Sequence, residues 1–249
     1  MTTIAPAGTG SRATLVLGWL SLAGVAALAA LGLWWSPADV VQGDSVRLMY
    51  VHVPSAILMY AGCSLCALGS LMWLRKRTDG WDTLAQASAE LATLFAALTL
   101  VTGMLWGRPT WGAYWTWDAR LTSTTLLFLL LVGYLALRSV PASADTRARR
   151  SAVLGLLLVP NAMIVHYSVD WWNTLHQDAT VAKLDPTIDD LMLFTLFAGM
   201  VVGGVVFSWL LTHRFRVAWL QRQVDEVSLD RAIVERRAEA DLAGHGSTR

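Results

Sequence analysis

The sequence predicts an all-α membrane protein with six transmembrane helices. Hydrophobic residues make up 55% of its 249 residues and charged residues only 15%, whereas a globular domain in water carries about 25% charged residues. Six apolar stretches are each long enough to cross ~30 Å of hydrocarbon as a helix, which takes about 20 residues. The charged residues collect between these stretches, and the formal net charge of +1 gives no support to nucleic-acid binding.

Hydropathy along the sequence predicts the bounds of the six spans. The predicted spans cover residues 14–35, 51–74, 83–106, 122–138, 151–168 and 190–211. The first span exceeds the roughly 7 to 15 apolar residues of a signal peptide, so we interpret it as an uncleaved helix. Residues 214–243 lack Gly and Pro and are rich in Arg, Glu and Ala. They predict a further helix that lies along the inner membrane surface.

Positive charge predicts the orientation, because cationic flanks are retained on the cytoplasmic side during insertion. One set of span ends carries Arg12, Arg75, Lys76, Arg77, Arg138, Arg147, Arg149, Arg150, Arg214, Arg216 and Arg222. The other set carries Arg47, Arg108, Arg120 and Lys183. Both termini are therefore expected in the cytoplasm, and the loops of residues 36–50, 107–121 and 169–189 are expected outside. The corresponding domains are residues 1–13, the membrane domain 14–211 and the cytoplasmic tail 212–249.

The second outward loop is unusually rich in aromatic rings. Four Trp and one Tyr fall within 12 residues of the run WGRPTWGAYWTWDAR, residues 106–120. An interfacial aromatic belt accounts for scattered rings such as Trp34, Trp35, Trp171 and Trp172, but this density in one loop favours a binding surface. Asp118 is expected to cap the fourth helix.

Two histidines are predicted on the same side as this loop. His52 lies at the outer end of the second span, and His176 lies in the third outward loop. Imidazole is a common metal ligand and is costly to bury without a partner. Two imidazoles in an apolar, aromatic setting suit a flat iron porphyrin better than zinc, which takes four ligands. His166, near the outer end of the fifth span, is the competing candidate ligand.

Two outward arginines are candidate contacts for the propionates of such a porphyrin. Arg47 lies close to His52 in sequence, and Arg120 follows the aromatic loop. Both could make charge-assisted hydrogen bonds with a carboxylate, whereas Arg108 fits a residue that extends along the helix end toward water.

The only two cysteines, Cys63 and Cys66, form a CxxC spacing inside the second span. Lipid depth disfavours a thiolate, which a redox motif requires. We therefore predict two small buried helix residues.

The run WGAYWTWD, residues 111–118, matches the WGxxWxWD signature, the WWD domain, of the heme-handling proteins of cytochrome c maturation. With six spans, 249 residues and one histidine on each side of the signature, the chain resembles the CcmC family, the heme exporter proteins C of bacterial system I. The resemblance implies a non-enzymatic subunit of the bacterial inner membrane that binds heme b at the periplasmic face. It implies His52 and His176 as axial ligands and a heme-holding loop of Trp111, Gly112, Trp115, Trp117 and Asp118.

The same resemblance implies partner proteins. These are the ATP-binding cassette pair CcmA and CcmB, the small membrane protein CcmD, and the heme chaperone CcmE, which receives the heme. The chain itself contains no G-x-x-x-x-G-K-[ST] loop, so ATP hydrolysis would have to come from a partner.

Two other functional classes stay open at this point. A quinol-oxidising b-type cytochrome would usually stack histidine pairs within its spans to hold hemes at two depths. A heme permease would line its core with polar residues, and apart from Glu90 the six spans supply few.

Overall fold

The computed structural model describes residues 10–176 and 188–246, and the predicted all-α fold is confirmed there. Within these two ranges, six helices are long and apolar enough to cross a membrane, and there is no strand. The helices are α1 (Arg12–Ala30), α2 (Met49–Lys76), α3 (Asp79–Trp111), α4 (Ala119–Ser139), α5 (Ala144–Trp171) and α6 (Asp190–Gly246). A wider π-helical turn, Leu31–Trp35, extends α1, and a 3-10 turn, Asp44–Leu48, leads into α2.

Local sequence signals set several helix ends. The side chains of Ser11, Asp118 and Ser143 accept hydrogen bonds from backbone N–H groups in the first turns of α1, α4 and α5, which are otherwise unpartnered at a helix start. At the other ends, α2 and α3 stop where Arg77 and Gly112 adopt left-handed backbone conformations. Gly112 is therefore the residue that terminates α3 and starts the aromatic loop.

The prediction that residues 107–121 form a loop is wrong for its first part. Helix α3 continues through Trp111 even though Pro109 lies inside its last turns. The Thr110 side chain donates a hydrogen bond to the Trp106 carbonyl, and the residue that ends the helix in a left-handed conformation is Gly112. The connecting segment between α3 and α4 is thus shorter, and Trp111 is held by a helix.

The main core lies between α2, α3, α4, α5 and α6. Its buried side chains include Met59, Cys63, Cys66, Phe95, Leu127, Leu131, Tyr134 and Leu158. Both cysteines are free and buried among these residues. The prediction of two small buried helix residues is therefore confirmed.

One end of the bundle is held together by ion pairs. We call it the basic end; it contains the last turns of α2 and α4 and the first turns of α3 and α5. Asp82 receives two hydrogen bonds from Arg138, at 2.6 and 2.9 Å, and one from Arg222 at 3.0 Å. Arg222 also binds Asp79, and Arg214 binds Glu90. These pairs join α3 and α4 to the middle of α6.

The tail forms the predicted helix but not in the predicted position. It continues α6 without a break to Gly246 rather than turning to lie along a surface. No Gly or Pro occurs between Gly204 and Gly244, so no residue in that stretch terminates the helix. The bonds from Arg214 and Arg222 to α3 hold α6 against the bundle as far as Arg222.

Candidate functional site

The opposite end of the bundle brings the predicted site residues together, and we call it the aromatic end. It contains the first turns of α2 and α4, the last turns of α3 and α5, and residues 112–118 and 172–176. The imidazole of His52 lies edge-on to the indole of Trp106, with ring centroids 5.7 Å apart. The imidazole of His176 lies 6.3 Å from the indole of Trp111. Each histidine is therefore paired with a tryptophan from the last turns of α3.

His52 stands in the first turn of α2 with its ring against α3. Its Nδ1 atom lies 3.0 Å from the hydroxyl oxygen of Thr102. A β-carbon at Gly103 would lie only 3.0 Å from Cε1 of His52. The absence of a side chain at Gly103 therefore leaves room for the imidazole ring. His52 is close enough to His176 and Arg120 to interact electrostatically with both. The charges on His176 and Arg120 therefore both act on the imidazole of His52.

The aromatic loop exposes the rings of Tyr114 and Trp117 and partly buries the ring of Trp115. Trp115 and Trp117 pack edge to face with centroids 5.4 Å apart, and Trp117 is 79% exposed. Arg108 folds back over this segment, because it donates to the Gly112 carbonyl and its guanidinium lies 5.6 Å from the centre of the Tyr114 ring. Arg108 therefore stabilises the loop, while Trp117 offers a free apolar surface.

Asp118 has the predicted capping role and also a second contact. One carboxylate oxygen accepts from the backbone N–H of Leu121 at 2.8 Å, which caps α4. The other accepts from the backbone N–H of Leu175 at 3.2 Å. Because Leu175 directly precedes His176, this carboxylate connects the aromatic loop to the segment that carries the second histidine.

We expect Asp118→Asn to release the Leu175 contact while keeping the cap. The amide oxygen can still accept from Leu121, but the amide nitrogen cannot accept from Leu175. Backbone hydrogen exchange should accelerate at Leu175 and stay slow at Leu121. Asp118→Ala is the matched comparison: it should accelerate both sites and cost about 1 kcal/mol of stability through the lost cap. Unchanged exchange at Leu175 in the Asn variant would contradict the connection.

The two candidate arginines occupy different places. Arg120 donates from Nη2 to the His166 carbonyl at 2.8 Å and from Nε to the Ser168 hydroxyl at 3.3 Å. Arg47 donates to the Asp44 carboxylate at 2.9 Å and to the Gly32 carbonyl. Arg120 is thus fixed between α4 and α5 beside His52, whereas Arg47 joins the first loop to α1.

The competing histidine, His166, belongs to a different set of contacts. Its ring packs against Tyr167 with centroids 4.8 Å apart and against Tyr60 at 6.3 Å, and the residue is exposed on the surface of α5. The structure therefore groups His52 with His176 through α3 and places His166 with tyrosines.

Residues 177–187, which complete the predicted third loop and include Lys183, lie outside the described residues.

The sequence did not single out two of the residues around His52, Thr102 and Gly103, whereas Trp106 belongs to the predicted aromatic run. Thr102, Gly103 and Trp106 fall on one face of α3 and all contact the His52 ring. The indole N–H of Trp106 donates to the Gln42 side chain at 2.7 Å, which fixes that ring against the first loop. Their helical spacing of one and four residues was the available signal, but an isolated Thr or Gly in an apolar span carries no functional indication by itself.

Comparison with known proteins shows the family of this chain. The profile of the family described as heme exporter protein C matches residues 5–230. The heme exporter protein C of Bradyrhizobium diazoefficiens is 39% identical over 239 residues, which cover 93% of this chain and 89% of the relative. The proteins of the same name from Haemophilus influenzae and Escherichia coli are 40% and 37% identical, each over 76% of this chain and over 78% and 79% of their own length. This chain belongs to the heme exporter protein C family.

Proposed function

We propose that this protein binds heme at its aromatic end and delivers it to the heme chaperone CcmE for cytochrome c maturation. The observation that carries the proposal is the pairing of His52 with Trp106 and of His176 with Trp111 at one end of the bundle. The names of the relatives point the same way, since each of the three is a heme exporter protein C.

The residues at the aromatic end suit a heme. The porphyrin is flat and apolar, and its iron takes imidazole nitrogen on either face. His52 and His176 are the imidazoles that would hold the iron, and the indoles of Trp111, Trp115 and Trp117 supply aromatic surface for the ring. Gly112 ends α3 without a side chain over that surface. None of these residues is a cysteine to which heme could be bound covalently, which fits heme b held as cargo.

Charge at the aromatic end suits the carboxylates of the porphyrin. Arg120 is close to His52, so a propionate could share its guanidinium with the carbonyl of His166. Arg47 is farther along the first loop and already binds a carboxylate, Asp44. Arg120 is therefore the stronger candidate for a propionate contact, and Arg47 the weaker one.

We infer that the aromatic end faces the periplasm and the basic end faces the cytoplasm of a bacterial inner membrane. The arginines of the basic end outnumber those of the aromatic end, as retention of positive charge in the cytoplasm requires. The continuous α6 would then extend from the membrane into the cytoplasm, and the tail of residues 212–249 and both termini would lie on that side. With this polarity, the exposed ring of Trp117 would lie where a periplasmic chaperone could meet it.

The remaining partners follow from the same proposal. The chain would act as a non-enzymatic subunit beside CcmA and CcmB, which would supply ATP hydrolysis, and beside the small membrane protein CcmD. Its part in the cycle would be to hold the heme, orient its edge toward the chaperone and keep it in a largely apolar setting.

A heme-transfer assay tests the proposal. The chain in lipid nanodiscs is loaded with hemin and mixed with the soluble domain of the chaperone, and heme on each protein is followed after separation. We expect heme to move to the chaperone faster than from empty nanodiscs that carry the same hemin. Equal rates would contradict delivery by this chain. Retained heme that is reduced by a quinol would instead favour a b-type cytochrome.

A further inference from the structure

We propose that Thr102 is a positioning residue that fixes the tautomer of His52, so that Nδ1 carries the proton and Nε2 is the nitrogen left to bind a ligand. The inference rests on the proposed function for the identity of that ligand, heme iron. It concerns a residue on a neighbouring helix, α3, that makes a single contact of 3.0 Å with the imidazole.

The hydroxyl of Thr102 has one proton, and the helix uses it. Its Oγ1 atom donates to the carbonyl of Leu98 at 2.7 Å, with the carbonyl of Thr99 as a longer second acceptor at 3.3 Å. A hydroxyl that donates inside its own helix can meet a further polar atom only as an acceptor. Because that further atom is Nδ1 of His52, this nitrogen must donate and therefore carries the proton.

The surroundings of the imidazole reinforce this assignment. The Thr102 hydroxyl is the hydrogen-bond partner that α3 offers to Nδ1 at 3.0 Å. The nearby indole N–H of Trp106 is engaged with Gln42 at 2.7 Å, so it does not occupy the lone pair of the imidazole. Among the described residues, the face of α3 thus offers His52 an acceptor in Thr102 and no free indole donor.

The backbone of α3 holds the ring in reach of Thr102. Gly103 follows directly, and a β-carbon there would come within 3.0 Å of Cε1 and 3.5 Å of Nδ1. Thr102 itself is buried, with 7% of its surface exposed. The hydrogen bond is therefore shielded from water, which would otherwise compete for Nδ1.

A fixed tautomer has a direct consequence for metal binding. A histidine that binds a metal through one nitrogen usually donates from the other, and this bond orients the ring and raises the basicity of the ligand nitrogen. Loss of such an outer partner typically weakens metal binding about 10- to 100-fold. Thr102 would fill this role for His52.

The first test reads the tautomer without heme. The variant Thr102→Val keeps the branched shape and removes the hydroxyl, whereas the control Thr102→Ser keeps the hydroxyl. Nitrogen-15 NMR of the heme-free protein, with the His52 signals assigned by their loss in His52→Gln, should show the Nδ1–H tautomer in the wild type and the Ser variant. The Val variant should show Nε2–H or a mixture. An unchanged Nδ1–H tautomer in the Val variant would overturn the inference.

The second test reads heme and separates the inference from the proposed function. In the Val variant we expect heme to bind about 10-fold more weakly and the heme midpoint potential to become more positive, with both values near wild type in the Ser variant. If His52→Ala loses its axial-ligand signature while Thr102→Val binds heme as the wild type does, the role of Thr102 is wrong. If His52→Ala leaves the heme spectrum unchanged, the ligand assignment of the proposed function fails, and the tautomer measured by NMR still decides the contact.

Discussion

Replacing Asp82 with alanine is expected to lower the free energy of unfolding by about 3 to 5 kcal/mol, the cost of removing one partner from a buried ion pair. The side chains of Asp82 and Arg138 are 4% and 7% exposed and form two parallel hydrogen bonds. Without the carboxylate, the Arg138 guanidinium would stay buried, and among the described residues its remaining hydrogen-bond acceptor would be the Gln86 side-chain oxygen at 3.0 Å. Arg222 would also lose one of its two aspartate contacts. Reversible denaturation of the purified chain in mixed detergent micelles measures the difference.

Two controls separate burial from charge alone. Asp145→Ala removes a carboxylate that is 61% exposed and that pairs with Arg77 at 3.1 Å, so it should cost no more than about 1 kcal/mol. The double variant Asp82→Ala/Arg138→Leu should recover much of the loss, since it removes the unpaired charge as well. Equal losses in the free energy of unfolding for Asp82→Ala and Asp145→Ala would show that the buried ion pair contributes no more to stability than the exposed one.

Replacing His52 or His176 singly with alanine is expected to weaken heme binding by more than the roughly 100-fold that loss of an outer-shell partner costs, because a direct ligand is removed. Each single variant should lose the low-spin spectrum of two imidazoles, since one axial position would be empty or taken by water. Heme titration followed by absorption spectroscopy measures both effects.

Added imidazole provides a sharp check on each position. If the alanine leaves a cavity beside Trp106 or Trp111, free imidazole should restore the low-spin spectrum in the corresponding variant. His166→Ala is the matched histidine variant, since His166 packs with Tyr60 and Tyr167, and it should bind heme as the wild type does. Loss of binding in His166→Ala together with normal binding in His52→Ala would exchange the roles of these two histidines.

Much of the fold could be predicted because the membrane constrains it so strongly. A span must satisfy its backbone hydrogen bonds internally, so an apolar run of sufficient length can be little other than a helix. The helix ends were harder, because hydropathy measures where lipid ends and not where hydrogen bonding ends. Trp111 lies beyond the apolar run but within α3, and the end is set by the left-handed conformation of Gly112. The continuation of α6 was missed for a related reason, as its support comes from distant residues, Asp79 and Glu90.

The candidate site was likewise predictable where local sequence determines it and not where it depends on contacts between distant residues. Topology and residue type sufficed to predict that His52, His176 and the aromatic run share one end of the bundle. The contacts that position them join residues far apart in sequence, and no local pattern announces them. Thr102 meets His52 across 50 residues, and Asp118 meets Leu175 across 57. Asp118 was recognised as a helix cap because capping is local, whereas its bond to the third loop depends on how α3, α4 and α5 pack.

Heme ligation by His52 and His176 is tested most directly by the spectrum of heme-loaded protein in which both histidines are replaced by alanine. Electron paramagnetic resonance of the ferric heme, recorded with the absorption spectrum, reports the axial ligands. We expect a low-spin signal of two imidazole ligands in the wild type and in His166→Ala, and complete loss of that signal in the double variant. An intact two-imidazole signal in the double variant would contradict the claim that these histidines hold the heme.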